Sequence, residues 1–421
     1  MPTPRIAIVG AGPAGCMLAR LLHLSDIDAV VFEGEQSPDY RSQGGTLDLH
    51  TETGLAAMQD AGLFDKFLEK ARYDGEYLLR SNLHLKPLMV KGTSNPGESR
   101  FGGQRPEIDR AELRRILTES LPEGMIQWGH HLKAVSEDGT LTFDHTVRSG
   151  FDLVIGAEGA WSKVRKVLSQ QEPIFVGIGA HSLRVPDAAN TAPELYKLVN
   201  RGSVFAHDKG QMLAVQMMGD DSINVYANFR TDDPNWFKNC GYDPSNLDEV
   251  KTHMLSSDSI WADWHPTLKQ AISLAEGPCS ARSLYMLPVG FKWPHKRGLT
   301  VLGDAAHLML PFAGEGVNIA LDDARKLASA IIKAVNHTPN GDISASIDRE
   351  IAEYEKEMWP RTERVAKLTD GVTQLNFFTN APPESVIAAS TAMHVRFHTP
   401  WVLHPLATAM VYTYYFFKLR F

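Results

Sequence analysis

The stretch Arg5 to Glu35, "RIAIVGAGPAGCMLARLLHLSDIDAVVFEGE", reads as a strand, a tight glycine turn, an amphipathic helix and a second strand. That order is one βαβ unit. The three glycines of the turn, Gly10, Gly12 and Gly15, follow the strand and open the helix, the context a dinucleotide fingerprint requires. Glycine there lets the backbone approach a pyrophosphate, whose charge is met by the free N–H groups at the helix start. Glu33 ends the next strand about 20 residues on and is placed to accept hydrogen bonds from ribose hydroxyls. The expected fold is therefore α/β, built on a Rossmann-like dinucleotide-binding domain.

Working outward, 421 residues with 43% hydrophobic content suffice for one large core or two interleaved domains. A net charge of −8 argues against a nucleic-acid partner, which selects a basic surface. Cys16, Cys240 and Cys279 are far apart and odd in number, so neither a disulfide framework nor a metal site is expected, and a reducing, cytoplasmic setting fits. The start of the chain carries no secretory signal pattern. Near the other end, Phe397 to Phe417 contains no Lys, Arg, Asp or Glu and approaches the roughly 20 residues that span a bilayer. Pro400, Pro405 and two histidines oppose spanning. The expectation is packing on the protein's own surface, with peripheral membrane contact through "YTYYFFKLRF" as the alternative.

A discontinuous organisation is expected. Residues 1–72, 100–171 and 281–335 form the cofactor domain; 73–99 and 172–280 form a substrate domain with an inserted mixed β-sheet; 343–421 form a C-terminal helical segment. The runs "SVFAH", "QMLAVQMM" and "INVYANFR" are the strands of the insert. "EIDRAELRRILTESL" is a helix opening on Asp109, with Glu112 completing a capping box. In the C-terminal segment Ile347, Ile351, Tyr354 and Met358 share one helical face, and Pro360 predicts a kink.

A second strand–glycine–helix element, "GDAAHLMLPFAGEGVNIAL" from Gly303 to Leu321, returns far downstream. Only an elongated cofactor needs a second grip, so FAD is favoured over NAD. Asp304 ends a strand where it can hydrogen-bond a polyol chain, and the helix beginning near Gly316 aims its N–H groups and positive end at the flavin. Gly314, Gly316, Val317 and Asn318 are candidates for that contact. Arg110 is a cation in the first turn of its helix, where the helix dipole disfavours it, so a ligand is a reason for its presence. His307 has no Ser, Cys or carboxylate at triad or metal-ligand spacing and reads as structural. No side chain is expected to be catalytic in its own right.

"GAGPAG", "GAEGAWSKVR" and "GDAAHLMLPFAGEGVN", in that order, resemble the three motifs of the class A, single-component FAD-dependent aromatic hydroxylases. Within that family "GGTLDLH", "EIDRAELRRIL" and the third motif are most similar to the tetracycline-degrading monooxygenases. The resemblance runs from about Arg5 to Lys333. It implies that Asp48 and Arg110 contact FAD, that Asp304 holds its ribityl or phosphate region, and that Arg41 meets NADPH. It further implies that NADPH reduces the flavin, that O2 adds at C4a, and that the hydroperoxide hydroxylates a phenolic or enolic carbon of a small-molecule substrate. NADPH is expected to dock transiently, there being no second glycine fingerprint. Pro311 and Phe312 are expected to wall the flavin side of the substrate pocket, and Phe205, Tyr226 and Phe229 to form its roof. Asn224 and Ser203 stand opposite a histidine and an arginine of the tetracycline enzymes, Glu158 stands where Asp is usual, Gly34 where an arginine is common, and Leu310 where proline is. A flavin tolerates the last three; the loss of the histidine and the arginine, with the net negative charge, favours a neutral ligand, and the long inserted sheet suggests room for a polycycle. A monomer is expected. A flavin reductase of the same superfamily and a non-catalytic flavin-binding protein remain the alternatives.

Overall fold

Ile6–Val9 is buried on both faces because it lies in the middle of a parallel sheet, which explains four apolar residues without alternation. The computed structural model describes residues 4–38, 44–93, 103–338 and 342–420. They divide into two units: Met1–Ala71, Ile108–Ile174 and Met286–Lys367 make the first, and Arg72–Glu107, Phe175–Tyr285 and Leu368–Phe421 the second.

The sheet of the first unit has the order Leu299–Val301, Leu153–Gly156, Ile6–Val9, Ala29–Phe32, Ile126–Gln127. Its pairings are parallel, with Ile8 opposite Ile155 on one side and Val31 on the other. From the central strand the chain lays two strands to one side and then two to the other. The order therefore reverses between Ile6–Val9 and Leu153–Gly156, and ligands bind beyond the carboxyl ends of strands at such a switch point. Helix Pro13–His23 starts there, with proline in its first turn, and buries Met17, Leu18 and Leu22. Each such side chain contributes roughly 1.5–3 kcal/mol relative to exposure. The long helix Gly316–Asn336 packs against it.

Helix Arg110–Glu119 does open after Asp109, but without the expected capping box. Asp109 makes no side-chain cap hydrogen bond, although its extended backbone suits a cap, and Glu112 pairs with Arg115 at 2.7 Å instead. Helix Ile343–Thr373 continues through Pro360 and buries Ile347, Ile351, Tyr354 and Met358, the face read from the sequence.

The second unit is built on a seven-stranded mixed sheet, in the order Ser280–Met286, Ile174–Val185, Ile223–Arg230, Gln211–Met217, Ser203–Asp208, Leu78–Asn82, Pro87–Lys91. The three strands of the insert pair antiparallel, and Ser203–Asp208 pairs parallel with Leu78–Asn82. Val204, Ala206, Val215, Val225 and Ala227 face one core with Leu268, Trp261 and Trp264. The same unit carries helices Pro383–Phe397 and His404–Lys418. No helix among the described residues is long and apolar enough to cross a membrane.

Candidate cofactor site

At the switch point the first unit's glycines fall into two kinds. Gly10 has φ +105°, and a Cβ there would lie 2.5 Å from the carbonyl oxygen of Ala157 on the neighbouring strand connection. A Cβ on Gly15 would lie 2.0 Å from the Gly10 carbonyl oxygen. Both are required by the fold itself. Gly12 is not: its φ of −74° and ψ of 176° suit any residue, and a Cβ there meets nothing within 4 Å. Glu33 folds back on the same turn, accepting from the Ala11 N–H at 2.6 Å and from the Glu35 N–H at 3.0 Å.

The downstream element repeats the pattern. Gly303 turns the chain sharply at φ +60°, and its N–H donates to Asp323 at 3.0 Å. Asp304 follows at the start of a single helical turn. Water reaches its carboxylate, yet surrounding protein pushes the carboxyl above its ordinary value, against the charges of His307 and Arg110. Gly316 opens the long helix and, like Gly12, would carry a Cβ with nothing within 4 Å of it. Val317 is half-buried beside it.

Asn318 joins the predicted residues. Its side chain accepts from the His50 N–H at 2.7 Å and donates to the Asp48 carbonyl at 2.8 Å, so the Thr46–Asp48 strand is held at the helix start. Asp48 reaches the Gly314 turn, where a Cβ would lie 3.4 Å from its Oδ1. His50 lies between two carboxylates, 2.9 Å from Asp48 and 3.3 Å from Glu315. Arg110 stands at the edge of the same group: its N–H donates to the Gly45 carbonyl at 3.0 Å, its guanidinium is exposed, and it forms no ion pair among the described residues. Gly10, Gly12, Gly15 and Glu33 thus line the first turn, and Asp48, Arg110, Asp304, Gly314, Gly316, Val317 and Asn318 the second. Arg41 lies outside the described residues.

Several supporting residues escaped the sequence reading. Asp323 is fully buried, binds His307 at 2.5 Å and Arg361 at 3.0 Å, and so fixes the Gly303–His307 turn. Burial alone would raise its pKa, but His307 and Arg361 hold it below the usual value. Arg165, also fully buried, donates to the carbonyls of Ala305 at 3.0 Å and Ala160 at 2.6 Å, tying the second and third motifs together. Glu158 accepts from Ser162 Oγ and from the Val164 N–H, and with Ser162 it caps helix Lys163–Leu168. The only sequence signals were the ends of the quoted motifs, "SKVR" for Arg165 and the second Asp of "LDDAR" for Asp323.

The substrate candidates divide between the units. Pro311 and Phe312 form a short 3-10 turn in the first, Pro311 exposed and Phe312 half-buried. In the second, Phe205, Ala214 and Tyr226 are cross-strand neighbours in one row, and Ser203, Gln216 and Asn224 in the next. These rows lie on the sheet face opposite the Val204–Val225 core, and Gln216 donates to Ser203 at 3.2 Å. Phe229 does not belong with them. It lies an odd number of residues from Tyr226, so its ring points to the opposite face, where it meets Trp236 at 4.9 Å.

A flavin dinucleotide fits the first unit on observations independent of motif. Gly12 and Gly316 are glycines that neither backbone strain nor protein packing demands, each at a helix start, and both leave room for backbone contact with a ligand. Arg110 offers a positive charge and Asp304 an acceptor near enough to feel it.

The arrangement is that of a two-grip flavoprotein. Comparison with known proteins names it further: the chain belongs to the FAD binding domain family, whose model matches residues 3–256 and 289–367. Among relatives, it is 30% identical to the monooxygenase penA of Penicillium thymicola, over 87% of this chain and 93% of that one. Among solved structures it shares the fold of Klebsiella pneumoniae HpxO complexed with FAD and uric acid, with a TM-score of 0.71, 16% identity, and coverage of 97% of this chain and 96% of that one. It shares it also with the tetracycline destructase Tet(55), with a TM-score of 0.68, 17% identity, and coverage of 94% and 98%. The protein is an FAD-dependent monooxygenase of the aromatic hydroxylase class.

Proposed function

We propose that this enzyme uses NADPH and O2 to hydroxylate an electron-rich phenolic or enolic polycycle, such as a polyketide or a tetracycline-like compound. The observation that carries the reading is the pair of unforced glycines, Gly12 and Gly316, each opening a helix of the first unit. The chemistry supplied by bound FAD is two-electron oxidation of NADPH followed by transfer of one oxygen atom from O2 to the substrate carbon, the other leaving as water.

The chain's own residues bind and orient. The N–H groups of the Gly12–Gly15 turn and the Arg110 guanidinium hold the phosphates, and Glu33 the adenosine ribose. Asp304 and Asp48 hold the polyol side. The positive end of helix Gly316–Asn336, with Gly314, Val317 and Asn318, would hold the flavin ring and favour negative charge on it. Arg41 meets NADPH. Pro311 and Phe312 are the substrate candidates of the first unit, and Phe205, Asn224 and Tyr226 those of the second. The uncharged rows Ser203–Gln216–Asn224 and Phe205–Ala214–Tyr226 support a neutral ligand with aromatic character. The enzyme works as a cytoplasmic monomer.

The test is a substrate screen with labelled O2. Polycyclic phenols, anthraquinones and tetracyclines are expected to stimulate NADPH oxidation, with one labelled oxygen atom in the product. Stimulation by simple benzoates alone removes the polycycle. Product without label removes oxygen transfer and leaves a reductase.

A further inference from the structure

Helix His404–Lys418 is attached to its unit by one stripe only. Tyr415 is buried, Val411 and Leu419 are half-buried, and these three pack against Leu88, Ile387 and Ala388. The rest of the helix is apolar and faces water. Leu406 is 61% exposed, Met410 63% and Phe417 55%, and Trp401, on the preceding turn, 79%. Single exposed apolar side chains are ordinary on any protein. Here nine of the seventeen large ones among the described residues fall within Trp401–Phe417, which makes a contiguous patch.

The charge around this patch has one sign. From Ser385 to Phe421 there is no Asp or Glu, while Arg396, Lys418 and Arg420 are cations, in a chain of net charge −8. Lys418 Nζ lies 5.5 Å from the Tyr414 ring centre and the Arg420 guanidinium 4.1 Å from that of Phe416. The cations thus rest on exposed aromatic rings at the edge of the apolar face. We propose that this helix docks the enzyme on an anionic lipid bilayer, lying in the plane of the interface.

The geometry excludes spanning. Fifteen residues at 1.5 Å each reach about 22 Å, short of the roughly 30 Å hydrocarbon core. Lying flat, the helix places Leu406, Met410 and Phe417 toward the acyl chains and Trp401 and Tyr414 at headgroup depth, where amphipathic rings settle. Lys418 and Arg420 then meet anionic headgroups. A second copy of the chain is a poorer occupant. It would cover the apolar face, but its own last 37 residues hold no acid to answer these cations. The proposal is independent of the substrate assigned above.

The test uses the full-length, FAD-loaded protein and sedimentation with phosphatidylcholine vesicles, with and without phosphatidylserine. The protein is expected to sediment with the phosphatidylserine vesicles, less so as salt rises. Lys418→Gln with Arg420→Gln is expected to weaken this about 25-fold, at roughly fivefold per cation. Leu406→Gln with Met410→Gln is expected to abolish it at unchanged FAD content and melting temperature, since both side chains are mostly exposed. Wild-type protein left in the supernatant with both vesicle types overturns the proposal. Equal binding to neutral vesicles overturns the anionic partner. A concentration-dependent dimer that Leu406→Gln with Met410→Gln dissolves, without vesicle binding, assigns the face to a second copy instead.

Discussion

Replacing Gly10 and Gly12 separately by alanine distinguishes a glycine needed by the fold from one needed by the cofactor. At Gly10 an alanine must adopt φ +105° and place its methyl carbon 2.5 Å from the Ala157 oxygen and 2.7 Å from its carbonyl carbon. The backbone strain alone costs roughly 1–3 kcal/mol, and Ala157 cannot yield freely, because its N–H is bonded to the Val9 carbonyl at 2.7 Å. At Gly12 an alanine has an allowed conformation and no neighbour within 4 Å. The folded apoprotein should lose nothing and gain up to about 1 kcal/mol from reduced freedom of the unfolded chain. The same methyl group, in the path of the pyrophosphate, should cost roughly 1–3 kcal/mol of binding, or about 5- to 150-fold in FAD affinity. Thermal unfolding of the apoproteins and flavin titration measure the two effects independently. The expected outcome is a lowered melting temperature for Gly10→Ala, by roughly 2–4 °C per kcal/mol, and weakened FAD binding at unchanged or higher apoprotein stability for Gly12→Ala. A Gly12→Ala protein that keeps full FAD affinity, or whose apoprotein melts as low as Gly10→Ala, would falsify the assignment of Gly12 to the ligand.

Other outcomes test the supporting structure. Asp323→Asn should destabilise the protein by about 3 kcal/mol, because His307 and Arg361 lose a buried partner, and chemical denaturation should show it together with looser FAD retention. Tyr226→Ala should raise KM for the substrate with little change in stability, whereas Phe229→Ala should cost about 2 kcal/mol of stability, below the 3–5 of a fully buried ring, and leave KM alone. Acid sensitivity should come in part from His181, which burial holds at a pKa of about 4. Above its unfolded value of about 6.5 both states are neutral and its contribution is unaffected by pH. Below that the unfolded chain takes up a proton that the native one refuses, so stability falls as pH drops from about 6.5 toward about 4. His207, pushed down by burial and by Arg80, acts in the same sense, and His181→Gln should flatten the pH dependence of the melting temperature across this window.

What could be read from the sequence was what local spacing encodes. The glycine turn, the strands around it and the apolar faces of the helices follow from periodicity over ten or twenty residues. The same spacing holds the face of each inserted strand, yet the expectation of Phe229 in the roof passed over its odd separation from Tyr226. Asp109 misled because its spacing to Glu112 and its extended backbone both suit a cap, while Glu112 is drawn to Arg115. Asp323 and Arg165 were overlooked for another reason. Their partners lie 16 and 140 residues away, at His307 and Ala305, and no local pattern distinguishes them from solvent-facing charges. The roles of Asn318 and Gly316 were suggested by the motif, but the clamp from Asn318 to Asp48 and His50 spans about 270 residues and emerges only in three dimensions.

The order of the parallel sheet sets a timetable for the newborn chain. Ile6–Val9, its centre, leaves the ribosome well before its neighbour Leu153–Gly156 and the edge strand Leu299–Val301. At roughly 5–20 residues per second, about 15–60 s separate the first strand from the last. Throughout that interval an apolar ribbon waits with one edge unpaired, a template for mispairing. Asp304 and Gly316 emerge later still, so the second grip on the flavin cannot exist until that segment has followed the last strand out. Complete cofactor capture is therefore a step that comes after the parallel sheet has all its strands.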